Sequence, residues 1–444
     1  MRTSPPGPTG EPLFGSSRRY ANDPFRFLSA CERSYSGVVQ FDLGPMDTYL
    51  LTEPEHVERV LVAEADRFSK PEFQDDALGD LLGEGLLLSE GQTWREQRRL
   101  ATPAFQMDRL ADFANDIVAH NESLLADWSD GAVVDMERAM TRVTLAVITD
   151  LMLGTDLTDE RIRTIREALE PLGARFEPDP IRFAMPTWLP MPGDSEYDTA
   201  VETMESVIAD IVAERRGSEG NPETDEGPDD LLSILLRARA RGEQTDKQIR
   251  DEMMTMLLAG HDTTALTLTY TWYLLSQHPS VEERLREELE EQLGGGPPTM
   301  ADVPALDLVE RVVDEAMRLY PPVYAMFRDP AESVTFGEYT IPEDATIMLS
   351  QWATHRSEQL WDNPEQFDPD RWTGDDHPRF AYFPFGGGPR HCIGKHLAKL
   401  EAQLIVARTA QEYRLEYTRE GEPDLRPTLT MHPRDGMPMR VHER

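Results

Sequence analysis

Apolar positions recur at helical spacing through most of the chain and alternate in short stretches only towards its two ends. Residues 1–24 are proline-rich and read as an irregular lead-in. Val38–Leu43 and Tyr49–Thr52 alternate as a strand pair around Gly44-Pro45, and Glu53-Pro54-Glu55 then opens a helix. From Pro71 to Gln92 the pattern breaks into a glycine- and leucine-rich loop. A helix from Thr93 and further amphipathic patterns run to about Gly154. Pro171–Pro192, rich in proline and aromatics (Phe176, Phe183, Trp188), reads as an irregular cover, and residues 216–230 as a solvated linker. The longest apolar pattern spans Asp246 to Gln277 and stops at Pro279; at about 1.5 Å per residue such a helix crosses a whole domain. Thr335, Ala345–Ser350 and Thr428–Met431 mark late strands. The predicted class is mainly α with minor β sheets.

A chain of 444 residues can bury a large core. Its most apolar region, Met253–Leu275, carries His261 and Asp262 in the middle, so a buried core helix is expected there and not a transmembrane anchor. The first residues hold no apolar signal core, and Cys31 and Cys392 are too few and too far apart for a disulfide framework; both fit a cytoplasmic protein. The formal charge of −38 argues against nucleic acid and anionic membranes as partners. Lys70, Lys247, Lys395 and Lys399 are the only lysines. So acid-rich and lysine-poor a surface suits a high-salt interior, where screening removes self-repulsion, and a halophilic prokaryote is the expected source. Loss of structure on desalting is the expected behaviour; an unchanged fold in dilute buffer counts against it.

The chemistry concentrates in Phe385-Gly-Gly-Gly-Pro-Arg390-His-Cys392-Ile-Gly394, just ahead of a helical run. Its glycines permit positive φ and close approach to a flat ligand. Backbone N–H groups, the helix start and Arg390 favour thiolate over thiol. A nucleophile needs a base in reach, and zinc needs further cysteines or histidines at ligand spacing. On this loop alone two readings stay open: buried filler, and a ligand to haem iron, whose other ligands come from a macrocycle.

Ala259-Gly260-His261-Asp262-Thr263-Thr264 lies within the long helix. Small residues there leave a groove for a diatomic ligand, Thr263 can bond backbone and hold water, and Asp262 can feed protons. A plain core helix is the alternative, although its polar groups then need partners. Glu315 and Arg318 share a helix face within the largely apolar Val312–Tyr320. A buried pair needs a further partner, and Arg371 in Phe367-Asp-Pro-Asp-Arg371-Trp372 offers one.

Together these segments resemble the cytochrome P450 family of haem-thiolate monooxygenases, over nearly the whole chain. Phe385–Gly394 matches the family's haem-binding loop, Phe-x-x-Gly-x-Arg-x-Cys-x-Gly, without departure. Ala259–Thr264 matches its oxygen-binding helix, Glu315 and Arg318 its Glu-x-x-Arg pair, and Arg371 the completing member of a salt-bridge triad. The resemblance implies one domain over residues 1–444: a triangular helical prism with a small β-rich region, haem b lying between the oxygen-binding helix and the cysteine-loop helix. It implies Cys392 as proximal ligand to the haem iron, and Phe385 and Gly394 as parts of the haem-binding loop. Oxygen would bind at Ala259–Gly260, with protons passing through Asp262 and Thr263. Ferric iron, porphyrin core and one thiolate sum to zero charge, so two propionates remain to be matched. Trp94 and Arg98 match the family's Trp-x-x-x-Arg propionate contacts; Arg328 and Arg390 match two more.

The implied reaction inserts one atom of O2 into a C–H bond (or epoxidises a double bond) of an apolar small molecule. Leu86, Leu87, Phe183, Leu258, Val323, Met326 and Leu429 are the candidate substrate contacts by position in the family pattern. About fifty residues follow Cys392, too few for a fused reductase domain, so electrons are expected from a separate ferredoxin and its reductase. Arg95, Arg99, Lys395 and Lys399 are the candidate basic docking face. The rival readings are a peroxide-dependent peroxygenase or isomerase, a non-catalytic haem sensor, and a domain without cofactor.

Overall fold

Thr245 caps the central helix, Asp246–Gln277, reciprocally: its hydroxyl accepts from the Gln248 N–H, and the Gln248 side chain accepts from the Thr245 N–H at 2.9 Å. Its 32 residues span roughly 48 Å. Buried side chains cover nearly every face, as in a helix at the centre of a core. Pro279 does more than stop it. That residue opens the next helix, Pro279–Leu293, where its missing N–H leaves no helical bond unmade.

The computed structural model describes residues 4–35, 37–154, 158–184, 189–218, 230–374 and 377–444. Helix Met136–Leu153 packs along the central helix. Gly260 allows that approach, because a Cβ there would come within 2.6 Å of Ile148 Cγ1. A five-stranded sheet runs in the order Val38–Leu43, Met46–Leu51, Thr346–Leu349, Met326–Pro330, Phe68–Ser69. Only the second and third of these strands pair in parallel. One apolar core runs from Tyr20 to Val441, and a smaller one lies under this sheet. Among the described residues no helix is long and apolar enough to cross a membrane.

Four expectations need correction. The lead-in is tied down: Gln40 N–H donates to the Pro6 carbonyl, and Ser17–Asn22 is helical. Pro71–Gln92 is not all loop, because Glu72–Leu82 forms a helix that buries Leu78, Leu81 and Leu82. Pro171 sits inside helix Asp159–Ala174, and Pro180–Ala184 is helical too. Thr428–Met431 is mainly the turn of a hairpin, whose strands are Leu425–Pro427 and Met431–Pro433. Trp188 and most of the linker, residues 219–229, lie outside the described residues; helix Asp194–Ser218 extends into the linker's start.

The segment after Glu72–Leu82 is fastened to the central helix. Glu84 N–H donates to Asp251 Oδ2 and Leu86 N–H to Glu252 Oε2, each at 2.9 Å. Ser89 Oγ donates to Gln97 Oε1 at 2.7 Å, while the Gln97 amide donates to the Glu84 carbonyl at 2.5 Å. Burial pushes the Glu252 carboxyl up to about 7, against the pull of the Leu86 N–H.

Candidate functional site

Gly386 and Gly388 both take positive φ, which side chains rarely adopt, and the Leu61 carbonyl leaves no room for a Cβ at Gly388. The loop so formed is closed by Cys392 N–H donating to the Phe385 carbonyl at 2.9 Å, and helix Lys395–Glu412 starts just beyond it. Cys392 is accessible at its surface, yet its surroundings desolvate it enough to raise the thiol pKa. The Gly394 N–H, Arg98 and Lys395 pull the other way, towards thiolate. Among the described residues no group of three or more His, Cys, Asp or Glu is placed to hold a metal.

Four cations converge beside this loop. Arg98 donates to the His391 carbonyl at 2.8 Å. Arg390 lies over the Trp94 ring at 4.6 Å, donates to the Ser89 carbonyl at 2.9 Å and pairs with Glu90. Arg328, on strand Met326–Pro330, is lowered to about 10 by burial and by the charge of Arg390. Lys70 is lowered to about 7 by burial, Arg390 and Arg328. The carboxylates that offset Lys70, Arg328 and Arg390 are Glu90 and Asp75. A desolvated surplus of positive charge, in a chain of net charge −38, fits a bound dianion such as two propionates. Together with a lone thiol in a glycine loop, this donor set fits haem. Lys70 was missed in the sequence; its rarity among four lysines was the available signal.

In the central helix Ala259 is exposed while Met253–Leu257 and His261 are buried, so a gap lies beside that turn. Thr263 Oγ1 donates back to the Ala259 carbonyl at 3.1 Å. Asp262 accepts from the Thr430 hydroxyl at 2.7 Å, a partner that the helix motif does not announce. At Gly260 the missing Cβ makes room for Ile148 of the neighbouring helix, a packing role that the motif does not announce. His261 turns the same way, fully buried, donating from Nδ1 to the Leu257 carbonyl at 2.6 Å.

Glu315 and Arg318 are fully buried and joined by two bonds of 2.8 Å. Arg371 Nε lies 3.2 Å from Glu315. Trp372 Nε1–H and the Asp368 N–H, both 3.0 Å away, complete the carboxylate's shell. Arg318 also donates to the carbonyls of His355, Pro364 and Gln366.

The candidate substrate residues divide by exposure. Leu87 and Leu429 are exposed, at 45% and 47%, while Leu86 is buried. Leu258, Val323 and Met326 are half-buried, and the Met326 sulfur abuts Gly386 of the cysteine loop. Phe183 packs edge-on against Tyr20, ring centroids 6.1 Å apart. The docking face shrinks. Arg99 pairs with Glu243 at 3.2 Å, and Lys399 with Glu310 and Asp314 at 2.6 and 3.1 Å. Arg95 and Lys395 are exposed and show no ion pair among the described residues.

A protein-family model described as Cytochrome P450 matches residues 5–438. Cyclooctat-9-en-7-ol 5-monooxygenase of Streptomyces melanosporofaciens is 33% identical over 421 residues, covering 93% of this chain and 90% of that protein. Pentalenene oxygenase of Streptomyces avermitilis is 32% identical over 441 residues, covering 96% and 95%. A plant relative, protein LUTEIN DEFICIENT 5 of Arabidopsis thaliana, is 30% identical over 97% of this chain and 76% of its own length.

Proposed function

This chain belongs to the cytochrome P450 family, and from that premise we propose that its substrate is an unsaturated cyclic hydrocarbon of the terpenoid kind. The class is a haem-thiolate monooxygenase, with haem as cofactor. When bound, haem would supply the oxygen chemistry, and Cys392 would be the residue that holds its iron through a thiolate. The observation that carries this reading is the lone Cys392 thiol in its glycine loop beside a surplus of buried cations.

The residues divide the remaining work. Cys392 supplies the sulfur, held by the loop from Phe385 to Gly394. Trp94, Arg98, Arg328 and Arg390, joined by Lys70, match the propionates. Ala259 leaves room beside the central helix, Thr263 presents a hydroxyl there, and Asp262 supplies protons to it. Glu315, Arg318 and Arg371 lock the segment that supports the loop. Leu86, Leu87, Leu258, Val323, Met326 and Leu429 line an apolar approach, with Phe183 at its edge.

The substrate class rests on the names of the Streptomyces relatives and on the apolar side chains at Leu87 and Leu429. Titration of the ferric holoenzyme with pentalenene should displace water from the site and shift the spin state, whereas a straight-chain fatty acid of similar carbon number should bind at least tenfold more weakly. The reverse order sinks the terpenoid reading and leaves the enzyme class standing.

Electrons would come from a separate ferredoxin and its reductase, to a single-domain cytoplasmic enzyme. Arg95 and Lys395 now carry the docking hypothesis. Reversing both to glutamate should slow reduction by an acidic ferredoxin by about tenfold at low salt, a difference that fades as salt rises. Equal rates at low salt would remove this face from consideration. The halophilic source stays a proposal, supported by the −38 charge and four lysines; the relatives named above come from streptomycetes and a plant.

A further inference from the structure

Asp262 lies between two environments. One turn of its helix presents Thr263 and Ala259; Asp262 itself also lines a cavity of about 610 Å³ shared with Glu137, Arg426, Thr428, His432 and Arg434. A chain of donors crosses that cavity's wall. His432 Nδ1–H donates to Glu137 Oε1 at 2.7 Å, and its Nε2 lies 2.9 Å from Thr430 Oγ1. The Thr430 hydroxyl in turn donates to Asp262 Oδ2 at 2.7 Å. With both ring nitrogens protonated, Nδ1–H faces Glu137, while Nε2–H and then the Thr430 hydroxyl point towards Asp262.

The three groups come from three elements and are held firmly. Glu137 is on helix Met136–Leu153, Asp262 on the central helix, and His432 on strand Met431–Pro433. Met431 N–H donates to the Pro322 carbonyl and the Met431 carbonyl accepts from the Tyr270 hydroxyl, both at 2.9 Å, which pins the hairpin turn to the helix. Thr428 closes the turn through its hydroxyl, donating to the Thr430 carbonyl at 3.0 Å.

We propose that His432 is the solvent-side port of a proton relay that recharges Asp262 through Thr430, with Glu137 as the counter-charge that holds the imidazole in place. This rests on the reading of Asp262 as the proton source at the oxygen side of the helix. In each transfer Nε2 gives its proton to Thr430 Oγ1, while Thr430 gives its own to the Asp262 carboxylate. His432 becomes neutral, Asp262 becomes a carboxylic acid, and nothing is oxidised or reduced. Water entering the cavity then returns a proton to Nε2, since His432 is 24% exposed.

The electrostatics keep the port loaded with its proton. Burial pulls the His432 pKa down, but Asp262 and Glu137 outweigh it and carry the imidazole up to about 8. Asp135 faces Glu137 from the preceding strand, His261 lies behind Asp262, and Arg426 opposes from the partner strand of the hairpin. Arg166, Glu167 and Glu170 line the cavity from helix Asp159–Ala174. His432 is therefore charged at neutral pH and loses its proton as pH rises through about 8.

Imidazole NMR of the reduced, carbon monoxide-bound holoenzyme tests the wiring without turnover. The His432 resonance, assigned by its loss in His432→Gln, should titrate near pH 8 and move towards about 6.5 in Asp262→Asn and in Glu137→Gln. Titration at the ordinary value in wild type, or no response to either change, overturns the relay. Turnover gives the second arm, on variants whose carbon monoxide spectra match wild type. His432→Gln and Thr430→Val should each lower product per electron pair by roughly tenfold and abolish the decline through pH 8. If Asp262→Asn is impaired while both of those match wild type, the port is wrong and the role of Asp262 stands. If Asp262→Asn itself matches wild type, the reading of Asp262 falls and the relay with it.

Discussion

Cys392→Ser protein, reduced under carbon monoxide, will lack the strongly red-shifted Soret band that wild type shows, and its monooxygenase turnover will fall to background. Burial raises the Cys392 thiol pKa, and the Gly394 N–H, Arg98 and Lys395 only partly offset it. A thiol, far more acidic than an alcohol, can still ionise on binding iron there, whereas a serine hydroxyl cannot supply a thiolate at all. The thiolate that would tune the bound haem for oxygen chemistry is then lost. The propionate cations are untouched by the change, so the variant should still take up haem. That uptake separates loss of ligation from loss of fold. A red-shifted band in the serine variant would remove Cys392 as the ligand.

Arg318→Ala should lower stability by roughly 3–5 kcal/mol, the cost of stripping a buried charge of its partner. Glu315 would keep Arg371, Trp372 and the Asp368 N–H, but lose both 2.8 Å bonds. The carbonyls of His355, Pro364 and Gln366 would lose a donor at the same time. The damage should reach the haem loop. His355 Nε2 accepts the Phe383 N–H at 3.1 Å, and Phe383 accepts from Gly386 at 2.9 Å. Urea unfolding followed by the haem band should show a large drop in midpoint for Arg318→Ala and a smaller one for Arg318→Lys, which keeps charge without the planar fork. A wild-type midpoint for Arg318→Ala would mean that the buried network contributes no stability.

What the sequence made legible was whatever its local chemistry determines. The central helix was read at Asp246–Gln277 and occupies those residues, because a cap, a long apolar run and a proline coincide there. Glu315 and Arg318 meet because i, i+3 spacing leaves them little choice. The failures share a different cause. Gly79, Gly83 and Gly85 mask the helix Glu72–Leu82, whose leucines are held by packing and not by propensity. Thr428–Met431 alternates like a strand but is pinned as a turn by Thr428 and Pro322. His432 and Glu137 stand 295 residues apart, and no periodicity links them. Lys399 looked like a free cation because Glu310 and Asp314 reach it only from another helix.

The fastening of the Gly83–Glu90 segment bears on how readily this part of the chain can open. The backbone N–H groups of Glu84 and Leu86 are held by carboxylates 167 and 166 residues further along the chain. Parting them would leave Asp251 with Arg250 alone, and Glu252 with no donor among the described residues. Opening of this segment is therefore opposed by desolvated charge on the central helix as well as by the turn's own stiffness. Amide hydrogen exchange at Glu84 and Leu86 would time that opening directly.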